Sequence, residues 1–172
     1  MISSILETIK SLGITECGIC NFQDLPPLFP CRAAKLIPEN PQSVIVCLFP
    51  YYVGNYKDRN VSHYAIIDDY HVVAGNLLHK ITTHFQSAYP HATFASFVDN
   101  SPIHEVKAAW LAGLGVIGKH TLLINQTYGS YVFIGTIVTD AQLPTNTPLQ
   151  GSCLSCNRCI KLCPTNSLSD DG

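Results

Sequence analysis

Four of the eight cysteines in this 172-residue chain fall between Cys153 and Cys163, in the order Cys153-x2-Cys156-x2-Cys159-x3-Cys163-Pro164. This is the spacing of bacterial ferredoxin cluster loops. Three thiolates two residues apart wrap one [4Fe–4S] cubane, because the loop backbone turns around it and aims N–H groups at the sulfurs. The fourth, followed by proline, points away and in two-cluster proteins ligates the other cluster. A structural zinc site is the competing chemistry, but zinc usually takes two separated cysteine pairs, and here all four crowd into one loop.

The other four thiols give no matching motif. Cys17 and Cys20 are three apart on an expected strand, hence on opposite faces, Cys47 lies inside an apolar strand, and Cys31 stands alone. The chain thus carries half of a two-cluster arrangement. The expectation is that the missing half lies beyond Gly172, or that the cluster does not form and the four cysteines are disordered.

Two glycine motifs invite a phosphate reading and fail it. Gly113-Leu114-Gly115-Val116-Ile117-Gly118 fits G-x-G-x-x-G, but a helical pattern precedes it and a strand-like segment follows, the reverse of a dinucleotide turn. Gly113 to Lys119 nearly fits the phosphate loop, yet His120 stands where Ser or Thr should hold magnesium. The remaining expectation is that these glycines let backbone lie close to something flat or bulky. Asp99 follows the apolar run FASFV and precedes Asn100-Ser101-Pro102, where a carboxylate can form a turn or cap a helix. Among seven histidines there is no HExxH, and His71 and His120 are the least idle. Trp110 reads as core.

The elements that must position these groups follow from periodicity. Residues 2–12 read as an amphipathic helix stopped by Gly13, and 14–22 as a strand. A proline-rich loop leads to Ser43–Phe49 (SVIVCLF), a strand buried on both faces. Asp69–Ala88 is the longest helical pattern, Thr93–Val98 a strand delivering Asp99, and His104–Leu111 a helix. Leu122–Ile124 and Tyr131–Thr139 read as adjacent strands. The fold class is α+β, a mixed sheet with helices packed on it. Pro144–Gly151 reads as a linker, dividing a core at 1–145 from the start of a ferredoxin-like module at 146–172.

Composition narrows the function classes. Apolar residues make up 47% and charged residues 13%, which excludes a disordered chain or a charged coiled coil. A net charge of −2 gives no basic field for nucleic acid. The N-terminus reaches Glu7 without a basic n-region or a long apolar run, so no signal peptide or membrane span is expected. Eight cysteines then read as reduced thiols and metal ligands in the cytoplasm.

Taken together, the chain resembles the epoxyqueuosine reductase family from about Arg32 to Thr165. The resemblance is carried by Arg32 six residues before Pro38, Ser43-Val44-Ile45, and Ser62-His63-Tyr64-Ala65 with Asp69-Tyr70-His71. It continues through Val98-Asp99 with Pro102 and Glu105, Ala112-Gly113-Leu114-Gly115, Gly118-Lys119-His120, Gly129-Ser130 with Phe133 and Gly135, and the cysteine run ending Cys163-Pro164-Thr165. The resemblance implies a reductase core shared with reductive dehalogenases and corrinoid-processing proteins, carrying base-off cobalamin and followed by a two-[4Fe–4S] module. It implies reduction of the epoxide of epoxyqueuosine in tRNA to queuosine, with electrons from an external low-potential donor. The family's proton donor falls on Asp99, for which a pocket that raises its pKa is expected. Arg32, Ser62, Tyr64, Lys119 and Thr121, with Asp99, are the corrinoid-pocket residues it implies, and Cys153, Cys156, Cys159 and Cys163 the metal ligands.

The chain also departs from the pattern. His63 stands where the family usually has Arg, Ile67-Asp68 replaces a Gly-Arg pair, and Val116 replaces a bulky aromatic. The second cysteine set and the C-terminal helical repeats that hold tRNA are absent, so tRNA binding by this chain alone is expected to be weak or absent. Two alternatives stay open: a corrinoid-binding or trafficking protein without the tRNA reaction, and a ferredoxin-like electron carrier.

Overall fold

The computed structural model describes residues 2–55 and 60–170. In chain order the elements are α1 (Ile2–Ser11), β1 (Glu16–Asn21), β2 (Ser43–Pro50), α2 (Tyr70–Ala88), β3 (Phe94–Val98), α3 (Glu105–Leu111), β4 (Val116–Ile117), β5 (Leu123–Ile124), β6 (Val132–Thr139) and the single turn α4 (Arg158–Lys161). The class is α+β. Four strands form one sheet in the order β1-β2-β6-β3.

Every pairing in that sheet is antiparallel, where a mixed sheet was expected. The reason lies in the last strand. β2 and β3 run parallel to each other and are joined through α2, but β6 inserts between them, antiparallel to both, with Ile45 opposite Ile137 and Val98 opposite Gly135. The continuous apolar run of β2 arises because helices cover both faces of the sheet. Ile5 and Ile9 of α1 and Leu78, Ile81 and Phe85 of α2 pack with Ile45 and Cys47 on one face. Ala108 and Ala109 of α3 pack with Val44, Val46 and Leu48 on the other. Cys17 and Cys20 accordingly enter opposite layers.

β5 does not pair with β6, as its expected neighbour. It forms a separate two-stranded ribbon with β4, Val116 opposite Ile124. Gly115 permits this, since a Cβ there would lie 2.5 Å from the Ile124 carbonyl oxygen. Asn125 then fastens the ribbon to the end of α3 by donating from Nδ2 to the Leu114 carbonyl at 2.8 Å.

Gly135 sets how closely α2 lies on the sheet. A side chain there would meet Leu78 Cδ1 and Phe49 Cε2, each at 2.8 Å. With α2 seated this closely, its first residue, Tyr70, stacks on Phe133 of β6 at 3.9 Å between ring centroids. α2 and β3 are consecutive and antiparallel, so the first turn of α2 lies beside the last residue of β3. That adjacency builds the site.

Candidate functional site

Asp99 follows β3 in the left-handed region, φ 64°, a conformation that costs a non-glycine residue about 1–3 kcal/mol. Two short turns hold it there: Asn100 N–H donates to the Val98 carbonyl at 2.8 Å, and Ser101 N–H to the Asp99 carbonyl at 2.6 Å. The turn swings the carboxylate toward the start of α2, where His71 Nε2 lies 3.5 Å from Asp99 Oδ2. His71 is oriented from its other side. Asp69, the N-cap of α2, accepts from the His71 backbone N–H at 2.9 Å and lies 2.8 Å from His71 Nδ1. An imidazole donating through Nδ1 to Asp69 turns Nε2 to Asp99. The Asp69 contact, then that with Asp99, raises the His71 pKa above its ordinary value.

The enclosed acid is not Asp99, whose side chain is 67% exposed, but Glu105. Glu105 opens α3 and lines the same cavity as Asp99, Ser101 and Thr121, with a volume of about 410 Å³. Its Oε1 is buried, with no hydrogen-bond partner among the described residues. Burial, then the Asp99 charge, push the Glu105 carboxyl up to about 8, with Ser101 opposing. Burial and the Asp99 charge likewise raise the Tyr70 phenol.

Thr121, also left-handed at φ 66°, borders this cavity and a second of about 450 Å³ lined by Lys119, Cys153 and Ser155. Lys119 ties the core to the thiol loop. Its Nζ donates to Asn157 Oδ1 and to Asp170 Oδ1, each at 3.0 Å. The Lys119 and Ser155 backbone N–H groups lower the Cys153 pKa. The Thr165 hydroxyl, then the Ser167 and Thr165 backbone N–H groups, lower Cys163 to about 7. Left-handed residues at Ser155, Asn157 and Asn166 wind this loop. Among the described residues no three His, Cys, Asp or Glu side chains converge on a single-ion site. The donor chemistry, thiols met by backbone N–H groups, fits an iron–sulfur cluster.

The structure thus brings Asp99, Thr121, Lys119 and Cys153 along one continuous edge. Tyr64 approaches that edge through aromatic rings, meeting Phe133 at 6.3 Å, which in turn carries Tyr70. Ser62 is exposed at the start of the same short turn, and Arg32 is exposed at the start of another. The lining of the Asp99 cavity includes neither of them nor Tyr64. The three glycines meet the chain's own atoms at close range. Cβ positions at Gly113, Gly115 and Gly118 would strike the Thr147 carbonyl, the Ile124 carbonyl and the His120 ring. These glycines let the chain pack on itself, and Gly118 also lines the second cavity. His120 is equally local, accepting from the Leu122 N–H at 3.1 Å. The segment that composition marks as a linker is pinned to β1: Asn146 N–H donates to the Ile19 carbonyl and Asn146 Oδ1 accepts from Ile19 N–H, both at 2.8 Å.

A family model described as "Epoxyqueuosine reductase QueG, DUF1730" matches residues 31–100. The chain is 38% identical over 124 residues to the epoxyqueuosine reductase of Aliivibrio fischeri, covering 70% of this chain and 33% of that protein. It is 39% identical over 114 residues to that of Escherichia coli, covering 66% of this chain and 30% of the relative. This chain belongs to the epoxyqueuosine reductase family. It spans about a third of the length of these relatives. Epoxyqueuosine reductase from Streptococcus thermophilus superposes with a TM-score of 0.84 at 21% identity, over 98% of this chain and 54% of that one. A catabolic reductive dehalogenase solved with 3-bromo-4-hydroxybenzoic acid gives 0.70 at 21% identity, over 95% of this chain and 25% of its own. The epoxyqueuosine reductase core and the dehalogenase core therefore share this fold.

Tyr70 and Glu105 carry no role in the sequence beyond the family resemblance, and His71 stands out there only as one of the two less idle histidines. The signal for His71 was present: an aspartate two residues before a histidine at a helix start caps the helix and orients the ring at once. Glu105 carries no such signal, because its surroundings come from separate segments, Asp99 and Ser101 before it and Ile117 and Thr121 after it.

Proposed function

We propose that this chain is the corrinoid-binding reductase core of an epoxyqueuosine reductase-type enzyme, with Asp99 as its proton donor. The observation that carries the reading is Asp99 held in a left-handed turn against His71, at the edge of a cavity that Thr121 joins to the thiol loop. The cavity, about 410 Å³, mixes apolar Phe29, Ile103, Val106 and Ile117 with polar groups that include Asp99, Ser101 and Thr121, and it adjoins the second cavity of about 450 Å³ through Thr121, so a group larger than either cavity would have to lie across both. Cobalamin, when bound, supplies the low-potential reducing chemistry that side chains lack. Asp99, Thr121 and Lys119 border its place, with Tyr64, Ser62 and Arg32 as outer contacts. Cys153, Cys156, Cys159 and Cys163 are the ligands for [4Fe–4S] iron. An external low-potential donor supplies electrons in a reducing compartment, the cytoplasm.

The chain's own contribution is to bind, exclude and protonate. His71 as imidazolium donates to Asp99 and keeps a proton within reach of it, and Asp99 delivers a proton to the oxygen that leaves the epoxide. The substrate is epoxyqueuosine in tRNA. A relative of this fold was solved with an epoxyqueuosine-modified tRNA-Tyr stem loop (TM-score 0.74). With net charge −2, this chain alone holds tRNA weakly. That charge also favours the second reading, a corrinoid-binding protein without the tRNA reaction.

Anaerobic reconstitution with iron, sulfide and cobalamin tests the assignment. Both cobalt and iron are expected on the purified chain. Cobalt alone supports the second reading, iron alone an electron carrier, and retention of neither overturns the assignment.

A further inference from the structure

The last cysteine of the thiol loop is set apart by the groups that hold it. Cys153 accepts from the backbone N–H groups of Lys119, in the core, and of Ser155. Cys163 lies beyond α4, 3.5 Å from the Thr165 hydroxyl, and is met by the backbone N–H groups of Thr165, Ser167 and Leu168. Donors of this kind steady thiolates on iron–sulfur clusters, and here the two ends of the loop carry separate sets. In the Cys-x2-Cys-x2-Cys-x3-Cys-Pro pattern the first three thiolates bind one cluster and the fourth serves another. Each such loop therefore lacks one ligand and offers one. The other thiols of the chain do not fill the gap. Cys17, Cys20 and Cys47 are buried within the layers that cover the sheet, and Cys31 packs on the layer of α3.

A surface that lacks what it also offers is complementary to itself under a two-fold rotation. Its apolar groups fit the same arrangement. Leu154, between Cys153 and Cys156, is 93% exposed, and Leu162, directly before Cys163, is 80% exposed. Both flank ligands, where a second loop would cover them. Arg158 and Lys161, exposed on α4, offset the negative charge that two sets of thiolates bring together.

We propose that two copies of this chain share their iron–sulfur ligands: Cys153, Cys156 and Cys159 of one copy and the partner's Cys163 hold each cluster. The loaded chain is then a two-fold dimer and the metal-free chain a monomer. The proposal rests on the cluster reading given above for these cysteines. The Cys163 thiol releases its proton to solvent as its sulfur binds the partner's iron, and no electron moves in that exchange. Because the bridging bonds exist only with metal, cluster loading and dimer formation are one equilibrium, and loading depends on chain concentration.

The test reconstitutes the full chain anaerobically with iron and sulfide, under reductant so that no disulfide joins the thiols, and reads its mass by light scattering after size exclusion. The metal-free chain is expected at 18.8 kDa and the loaded chain at twice that mass, with about four iron atoms per copy. Cys163→Ala is expected to stay at monomer mass, with the altered EPR signal of an incomplete cluster. The triple variant Cys153→Ala, Cys156→Ala, Cys159→Ala keeps only the donated thiol and is expected to stay a monomer without iron. None of the four residues belongs to either core layer, so these variants leave the sheet intact. Mixed before reconstitution, the two variants are expected to pair, since one brings three thiolates and the other the fourth, with about half the wild-type iron per dimer. A loaded wild type at monomer mass overturns the proposal and leaves the cluster reading standing. So does a dimer that survives Cys163→Ala, a dimer that forms without iron, or a failure of the two variants to pair. If no iron is retained, the proposal and the cluster reading fall together.

Discussion

Asp69 Oδ1 binds His71 twice, at the backbone N–H (2.9 Å) and at ring Nδ1 (2.8 Å), so one carboxylate caps α2 and fixes the imidazole that faces Asp99. The contact lowers the Asp69 pKa from 3.8 and raises the His71 pKa from 6.5. The signs define a window. The Asp69 contribution is present above its unfolded value and lost as pH falls through its lowered folded one. The His71 contribution is present below its unfolded value and lost as pH rises through its raised folded one. The pair is therefore at full strength between about pH 4 and pH 6.5. Asp69→Asn is expected to bring the His71 midpoint down toward 6.5, read from its ring proton shifts. An unchanged midpoint would assign the perturbation to Asp99 instead.

Lys119 joins the core to the thiol loop through Asn157 and Asp170, contacts 38 and 51 residues away in sequence. Lys119→Met keeps the stem and removes the ammonium. Amide hydrogen exchange in residues 153–163 is expected to accelerate several-fold in this variant, while β2 keeps its protection, since local opening follows local contacts. Equal exchange in both proteins would place the hold on the loop elsewhere, in the Asn146–Ile19 bonds.

The parts of this architecture that were readable from sequence are those set by local pattern. SVIVCLF gave a strand covered on both faces, the Asp69–Ala88 periodicity gave α2, and the Thr93–Val98 run delivered Asp99 to a strand end. What stayed hidden depends on contacts between distant segments. The antiparallel sense of the sheet follows from the insertion of β6, some 80 residues after β2, between two strands already joined by a helix. The pairing of β5 with β4 depends on one glycine contact and one asparagine bond. In the site, residue type pointed to Asp99 and the cysteines. Glu105 shares its cavity with Asp99 and Ser101 of the preceding turn and with Ile117 and Thr121 from later in the chain, an assembly that no local pattern encodes.

Gly135 is a packing position. Leu78, fully buried in α2, and Phe49 occupy the space a side chain would need, each 2.8 Å from an added Cβ. Gly135→Ala is expected to cost about 1–3 kcal/mol by overpacking, measured by denaturant unfolding. Leu78→Ala alone should cost about 2–5 kcal/mol through the cavity it leaves. The double variant should be more stable than the sum of the two losses predicts, because the added methyl enters space the leucine vacates. Strict additivity would show that the helix does not bear on the glycine.

Glu105 also makes a prediction about stability with a definite sign. Its folded pKa, about 8, lies above the unfolded value of 4.5. Between those values the folded chain holds a proton that the unfolded chain has released, so the stability tied to this group falls as pH rises. Each pH unit between the two values removes about 1.36 kcal/mol, so the fall approaches roughly 4 kcal/mol between about pH 4.5 and pH 8. Gln in its place is uncharged at every pH and nearly isosteric. The stability of wild type minus that of Glu105→Gln, from urea unfolding at several pH values, is therefore expected to decline steadily across that window and level off above it. A difference constant with pH would mean that the carboxyl is hydrated in the folded chain, so Glu105 would hold no proton at pH 7.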